Sequence, residues 1–159
     1  MHKIREFLIK AVLLAVVLTV TGPALAGEGR YAILLETSGS VEVRQGQGEW
    51  KAGEAGMTLH QEDEIRTGRG STAKLLLDAA GKTGNFELKP ESRIRLGILE
   101  QNQLTGDKTT VLDLAIGDVL VHAQKLKGAS KFQVRTPNST TGVRGTTFLV
   151  SAKAKESQD

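Results

Sequence analysis

The chain has 159 residues, of which 21 are Lys or Arg and 18 are Asp or Glu, and it contains no cysteine. The absence of cysteine excludes a disulfide framework and lipid attachment through a thioether. Aromatic residues make up only 4% of the chain, and the basic residues are scattered along it. A nucleic-acid-binding protein would instead show a one-sided basic patch with interleaved aromatic residues, so we predict no nucleic-acid partner.

The first 26 residues have the layout of a secretory signal peptide. A short basic stretch precedes the apolar run AVLLAVVLTV, and the segment ends at Ala26 with small residues in an A-x-A arrangement. The apolar stretch falls short of the ~20 residues that a membrane-spanning helix needs, and Gly22 and Pro23 interrupt it. We therefore expect cleavage after Ala26 and a periplasmic or secreted protein, in which 18 basic residues nearly balance 17 acidic ones.

From Gly27 onwards the apolar residues recur with a period of two, which is typical of half-buried β-strands. The faces predicted in this way include Val41 and Val43, Leu75 and Leu77, Ile94, Leu96 and Ile98, Leu112, Leu114 and Ile116, Phe132 and Val134, and Phe148 and Val150. Glycine-rich turn signals separate these segments at intervals of about 8–12 residues, and no window favours an amphipathic helix. We predict one all-β domain over residues 27–151, a twisted, solenoid-like or sandwich-like stack of short strands, followed by a disordered tail over residues 152–159.

Two glycine-rich segments fail as nucleotide-binding motifs. GKTGN at 81–85 lacks the upstream glycine of a phosphate-binding loop, because Leu76 stands in its place. GRGSTA at 68–73 is followed by a strand pattern, whereas a dinucleotide site requires a helix there. An exported domain also has no ready supply of ATP or NAD, so we predict no cofactor.

The acidic segment HQEDE at 60–64 raises the possibility of a metal site, since His60, Glu62 and Glu64 would share one face of a strand. A hard cation needs oxygen ligands from several segments, so a solvated turn is the better interpretation. His122 follows an apolar run and is expected at a strand edge. Neither histidine has a matching arrangement for nucleophilic catalysis, and we predict neither a metal site nor an enzyme.

The segment FQVRTPNSTTGVRGTTFLVS resembles the signature of the FecR domain family, in which an apolar strand, Thr-Pro and small residues precede Val-Arg-Gly-Thr-x-Phe. The matching residues, which are also the candidate interaction residues of this chain, are Thr136, Pro137, Val143, Arg144, Gly145, Thr146 and Phe148. Thr147 stands where the family often has glutamate. Weaker similarity extends over residues 35–151, and it includes Trp50 and the segment DEIRTGRGSTA, with Asp63, Thr67 and Ser71 in the places of family residues.

The resemblance implies an all-β fold and no enzymatic activity. In signalling members of the family the domain lies in the periplasm, contacts an outer-membrane transporter, and is joined through a transmembrane helix to a segment that controls a sigma factor. Because this chain begins with a signal peptide and ends shortly after the signature, we expect a stand-alone module that binds an envelope protein or a glycan. The alternatives are the periplasmic part of a cell-surface signalling pathway and a self-assembling envelope subunit with exposed strand edges.

The Val-Arg-Gly-Thr segment has a structural and a functional interpretation. Pro137 should end the preceding strand at Thr136, residues 138–142 suit a loop, and Gly145 would permit a bulge or a close backbone approach. The Arg144 guanidinium could act as an internal brace that bridges several carbonyls, or it could contact a carboxylate or phosphate of a partner. We favour the brace, because a motif of this kind can serve a fold that is shared by proteins of different function.

Overall fold

A computed structural model of the chain describes residues 29–78 and 83–153. Every regular element in these ranges is a β-strand, and none of the described residues forms a helix suited to spanning a membrane. The predicted signal peptide and its cleavage site at Ala26 lie outside the described ranges, as do residues 154–159 of the predicted tail. Residue 152, the first residue of that tail, is the buried last residue of a strand.

The described residues form twelve strands that belong to one sheet. They are β1 (Ala32–Ser38), β2 (Val41–Arg44), β3 (Trp50–Ala52), β4 (Thr58–Leu59), β5 (Glu64–Thr67), β6 (Thr72–Leu77), β7 (Gly84–Leu88), β8 (Arg93–Gln101), β9 (Lys108–Ala123), β10 (Lys131–Arg135), β11 (Thr140–Val143) and β12 (Thr147–Ala152). The main order is β3-β2-β5-β8-β9-β7-β6-β1-β4, with β10 and β12 attached to β9 and β11 attached to β10. The sheet curls into an open half-barrel, which confirms the all-β prediction.

Strand β9 organises the half-barrel, because it runs through both of its layers. Its first half pairs with β8 and β10 in the front layer, which also contains β2, β3, β5 and β11. Its second half pairs with β7 and β12 in the back layer, which also contains β1, β4 and β6. The pairing of β9 with β10 is parallel, and the other strand pairs of the described sheet are antiparallel.

The change of layer within β9 occurs at Gly117, where φ is +89°. A Cβ atom at this position would lie 2.6 Å from the Ser92 Cα, so only glycine fits both the backbone angle and the space. The alternation of buried residues shifts by one across the bend, between Leu114 and Val119. Ile116 is therefore 40% exposed, whereas the sequence pattern predicts it to be buried.

The two layers enclose one hydrophobic core, to which strands of both contribute alternating residues. The predicted inward residues that are buried are Val41, Val43, Leu75, Leu77, Ile94, Leu96, Leu112, Leu114, Phe132, Val134 and Val150. In β8 the prediction fails after Leu96, because a bulge between Leu96 and Ile98 shifts the register against β9. Leu99 is buried instead of Ile98, since the bulge inserts one extra residue into the alternation.

One margin of the half-barrel is closed by backbone hydrogen bonds from the segment between β3 and β4. The Gly53 amide donates to the Val41 carbonyl of the front layer (2.8 Å), and the Gly56 amide donates to the Leu34 carbonyl of the back layer (2.7 Å). The other margin lies between β11 and β12. In the described sheet β11 pairs only with β10, and β12 pairs only with β9, so this second margin remains open.

Candidate functional site

The signature segment forms β10, a tight turn, β11 and the start of β12. β10 ends immediately before Thr136 and Pro137, and the turn is closed by a hydrogen bond from the Thr136 amide to the Ser139 carbonyl (2.8 Å). Residues 140–142 belong to β11, so the loop predicted over residues 138–142 is too long. This strand escapes sequence reasoning because Thr140–Val143 has no apolar alternation; it forms because its backbone pairs with β10.

The Val-Arg-Gly-Thr corner packs on the loop between β9 and β10. Gly145 has a φ of +72°, and a Cβ atom there would lie 2.9 Å from the Lys125 Cα, in agreement with the predicted close backbone approach. Arg144 is exposed and donates one hydrogen bond, from Nη2 to the Gly128 carbonyl (3.0 Å). Among the described residues, Arg144 therefore contacts a surface loop and does not bridge several carbonyls inside the fold. Val143 and Phe148, on either side of the corner, pack against the core.

The internal brace of the molecule is Arg30, which belongs to no motif in the sequence. Its side chain is buried between the layers. Towards the back layer, Nε donates to Asp78 Oδ1 (2.9 Å) and Nη2 donates to Thr83 Oγ1 (3.1 Å). Towards the front layer, Nη1 donates to the Thr109 carbonyl (3.0 Å) and to Thr110 Oγ1 (2.9 Å). One guanidinium thus ties the first half of β9 to the end of β6 and the start of β7.

The carboxyl group of Asp78 is held in its ionised form. Burial opposes ionisation, but hydrogen bonds from Arg30, Lys108 and Thr83 outweigh it and keep the pKa of Asp78 below its ordinary value. The Lys108 Nζ lies 2.7 Å from Asp78 Oδ2. A carboxylate that is fixed between two cations in this way stabilises the fold and is a poor proton donor at neutral pH.

The middle of the family pattern also serves the architecture. Asp63 is buried, and its carboxylate accepts hydrogen bonds from the amides of Gly46 and His60 (2.8 Å each), which join two turns. The hydroxyls of Thr67 and Ser71 are buried as well and bond to backbone groups of neighbouring turns. These polar residues form hydrogen bonds with backbone groups that would otherwise be left unpaired.

The two glutamates of the HQEDE segment form ion pairs with arginines. Glu62 Oε2 lies 3.0 Å from Arg95 Nη1, and Glu64 Oε1 lies 2.6 Å from Arg44 Nη2. His60 is exposed at the adjoining turn. Within residues 29–78 and 83–153, no group of three His, Asp or Glu side chains is arranged to hold a metal ion.

His122 lies in the second half of β9, between β7 and β12, so it is not at the strand edge where the sequence places it. Its side chain is exposed, and its Nδ1 lies 2.7 Å from Thr147 Oγ1. This contact links β9 to β12 on the outer surface of the back layer.

The outer surface of the front layer carries an aligned row of charged side chains. Five adjacent strand pairs bring one residue from each of six strands into register: Trp50, Arg44, Glu64, Arg95, Asp113 and Arg135. Beyond the tryptophan, cations and carboxylates alternate along this charge row. Arg44 and Glu64 form one ion pair in this row. Further along, the Asp113 carboxylate accepts hydrogen bonds from Arg95 Nη2 (2.9 Å) and from Arg135 Nε (2.6 Å). The hydrogen bond to Asp113 raises the pKa of Arg95 further, so this side chain remains a cation.

The charge row cannot be recognised from the sequence alone, because its members are spread from Arg44 to Arg135 and only the strand register brings them together. The one signal in the sequence is the polar half of each alternating segment, as in SVEVR and SRIRL. Each of these segments, when it is considered alone, indicates a strand with one face in solvent. Their common alignment follows from the pairing order, which the sequence alone does not give.

Trp50 lies at one end of the charge row, against two guanidinium groups. The ring centroid is 4.2 Å from the Arg66 Cζ and 5.0 Å from the Arg44 Cζ, within cation–π distance. Arg66 is itself bonded to Glu42 (2.6 Å), and this hydrogen bond lowers the pKa of Glu42 despite partial desolvation. A half-buried tryptophan among arginines has the composition that is enriched in protein-binding hot spots.

A groove of about 320 Å³ lies at the other end of the charge row. Its polar lining consists of Glu64, Arg93, Arg95, Asp113, Arg135 and Thr136, with Pro137 beside them. Three guanidinium groups therefore face two carboxylates. Arg93 is the least engaged of them, since its Nε is 3.8 Å from Glu64 Oε2 and half of its side chain (51%) is exposed. In the part of the chain that the structure describes, the exposed Arg93 guanidinium can therefore still donate hydrogen bonds to an anionic group of a ligand.

Comparison with known proteins agrees with the signature. A family model described as FecR protein matches residues 63–158, which is more than half of the chain. No curated protein and no solved structure matches the chain. The matched region includes the Val-Arg-Gly-Thr corner and four of the six residues in the charge row.

Proposed function

Because this chain belongs to the FecR protein family, we propose that it is a non-catalytic binding module of the cell envelope, which captures a partner protein on the charge row and its groove. The family is one of regulatory and signalling domains and not of enzymes, and it is known for signalling regulation in the periplasm. The signal-peptide pattern of residues 1–26 supports export to the periplasm or beyond the cell.

The observation that carries the proposal is a contrast between two sets of polar residues. The buried polar residues of the family pattern, such as Asp63, form their hydrogen bonds with backbone groups of the same chain. Trp50, Arg93 and Arg135 lie instead on an accessible surface, and among the described residues the ion pair of Arg93 with Glu64 is long, at 3.8 Å. A partner can be recognised only by groups that are free to form hydrogen bonds with it. This favours the outer surface of the front layer as the binding surface.

The lining of the groove indicates the chemistry of the partner. Planar guanidinium groups bind carboxylates in a bidentate manner, so a protein surface with exposed Asp or Glu side chains fits the groove end. At the other end, Trp50 offers a large apolar area against which an apolar side chain of the partner can pack. Contacts at both ends would fix the orientation of a partner along the charge row.

A crosslinking pull-down from intact envelopes tests the proposal. We expect Trp50→Ala and Arg93→Ala each to reduce capture of the partner about tenfold or more, as is usual for hot-spot truncations. Arg69→Ala is the matched control for Arg93→Ala, because Arg69 is an exposed arginine in a turn that does not line the groove. The Arg69→Ala variant should capture as much partner protein as the wild type does.

Two results would overturn the proposal. One is full capture by both Trp50→Ala and Arg93→Ala when their thermal unfolding matches the wild type. The other is recovery of a cell-wall glycan without any protein, which would assign the surface to a carbohydrate.

The family match also favours a second function, that of the periplasmic part of a cell-surface signalling pathway. Under this alternative the captured protein is a membrane transporter or a membrane-bound regulator. Genes for a sigma factor and a transporter beside the gene for this chain would support it. Their absence would favour a stand-alone adaptor.

A further inference from the structure

Within residues 29–78 and 83–153, no strand lies beside the second edge of β12, which pairs only with β9. The Ala123 amide donates to the Thr146 carbonyl at the start of the β9–β12 pairing (3.0 Å). Alternation along an antiparallel ladder then directs the backbone N–H and C=O groups of Thr147, Leu149 and Ser151 towards the free edge. These groups are available to a further strand.

This edge lacks the features by which soluble proteins usually protect an edge strand. Such features are short length, charged side chains and proline. Strands β3 and β4, at the closed margin, have three and two residues, and β3 carries Lys51. β12 has six residues without a charge or a proline, and its Leu149 is 59% exposed. The long free edge with an exposed leucine favours pairing with another strand.

We propose that the occupant of this edge is β12 of a second copy of the chain, paired antiparallel about a two-fold axis at Leu149. The segment Thr147–Ser151 is chemically the same in both directions, with hydroxyl residues at its ends, apolar residues inside them and leucine at the centre. In a pair centred at Leu149, the two leucines face each other, and Thr147 faces Ser151 of the second copy. A two-fold interface requires self-complementarity of this kind.

The surroundings of Leu149 form an apolar centre with a polar rim. Leu149 lies in register with Leu120 of β9, so two copies place four leucines in one row across the interface. On either side, Thr147 contacts His122 and Ser151 contacts Asp118 through side-chain hydrogen bonds. This distribution matches that of stable protein interfaces.

The open margin also has room for a second strand. A groove of about 470 Å³ lies between β11 and β12, lined in part by Val143 and Phe148, which pack on the core without being fully buried. A second copy at β12 would remove part of this apolar lining from water. The pairing involves neither Trp50 nor the charge row, so it is independent of the proposed function.

Introduced cysteines test this register directly, because the chain has no cysteine of its own. Facing residues of a hydrogen-bonded antiparallel pair have Cα atoms about 5.5 Å apart, which suits a disulfide. We expect Leu149→Cys to form a disulfide-linked dimer on mild oxidation. Thr147→Cys and Ser151→Cys should each form no disulfide-linked dimer alone, and the two should crosslink to each other when they are mixed. Leu104→Cys, at a loop leucine that is 96% exposed, should not crosslink.

Sedimentation of the uncrosslinked protein gives the second readout. We expect a concentration-dependent dimer, whose dissociation constant Leu149→Lys raises on the order of 100-fold by placing two cations face to face. Leu104→Lys should sediment as the wild type does, and so should Trp50→Ala, which separates this test from that of the proposed function.

Three outcomes would overturn the pairing. They are a wild-type monomer at every concentration, crosslinking of Thr147→Cys with itself as readily as with Ser151→Cys, and a monomer that captures an extended segment of another protein through Leu149.

Discussion

Two arginines show how differently the same side chain contributes in the interior and on the surface of this molecule. Arg30 is buried between the layers and bonds to groups of both. Arg144, in the family signature, is exposed and bonds to a single carbonyl of a surface loop. The comparison indicates that burial and the number of satisfied acceptors determine the energetic role of an arginine, and that membership of a motif does not.

The largest effect is expected from Arg30→Met. This change leaves the Asp78 carboxylate without its main partner and removes the donors to Thr109 and Thr110. Loss of one member of a buried ion pair typically costs about 3–5 kcal/mol, and urea unfolding should show a decrease of that order in the free energy of unfolding. A decrease below ~1 kcal/mol, as for a surface ion pair, would contradict the role of Arg30 as the internal brace.

Gly145→Val tests how much the backbone of the signature corner contributes to stability. The positive φ and the close approach to Lys125 should together lower the free energy of unfolding by more than ~2 kcal/mol. Gly142→Val is the matched control, since Gly142 lies in β11 with open space around its Cβ position. A Gly145→Val protein that melts as the wild type does but no longer captures a partner would make the corner a contact site.

The pH dependence of stability should reveal the contribution of Asp78, the carboxylate that pairs with Arg30. The pKa of Asp78 is lowered in the folded state, so its ionised form stabilises the fold above its ordinary pKa, and this contribution is lost as the pH falls through the folded pKa. The wild type should therefore be more stable than Asp78→Asn at neutral pH, and the difference should shrink below about pH 4. Denaturant unfolding over a pH series checks this, and a difference that stays constant down to acid pH would contradict it.

The smallest effect is expected from Arg144→Met. Since only the bond to Gly128 is lost from an exposed side chain, the free energy of unfolding should change by no more than ~0.5 kcal/mol. A decrease in thermal stability close to that of Arg30→Met would show that the corner depends on its arginine after all.

The fold could be predicted from the sequence wherever a strand alternates regularly between core and solvent. The pattern identifies the buried faces of β2, β6 and β10, because each has one face in the core. It fails at Ile116 and at Ile98, since a bend at Gly117 and a bulge in β8 each shift the alternation by one residue. Such irregularities arise from strand pairing, which a single sequence does not display.

The site was predictable only in part, for a related reason. The signature identified the corner around Gly145 and its close backbone approach, which is a local property of the chain. The charge row from Trp50 to Arg135 depends on the register of six strands, and Arg30 depends on contacts with residues as distant as Thr110. Long-range pairing produces both features, and neither leaves a compact motif.

A photo-crosslinking residue placed at either position 50 or position 144 in intact envelopes would test most directly where a partner binds. The proposed function places the partner on the charge row and not on the signature corner, so the residue at position 50 should yield a crosslinked partner protein, and the residue at position 144 should yield none. Crosslinking at position 144 alone would contradict this assignment, because recognition would then belong to the corner.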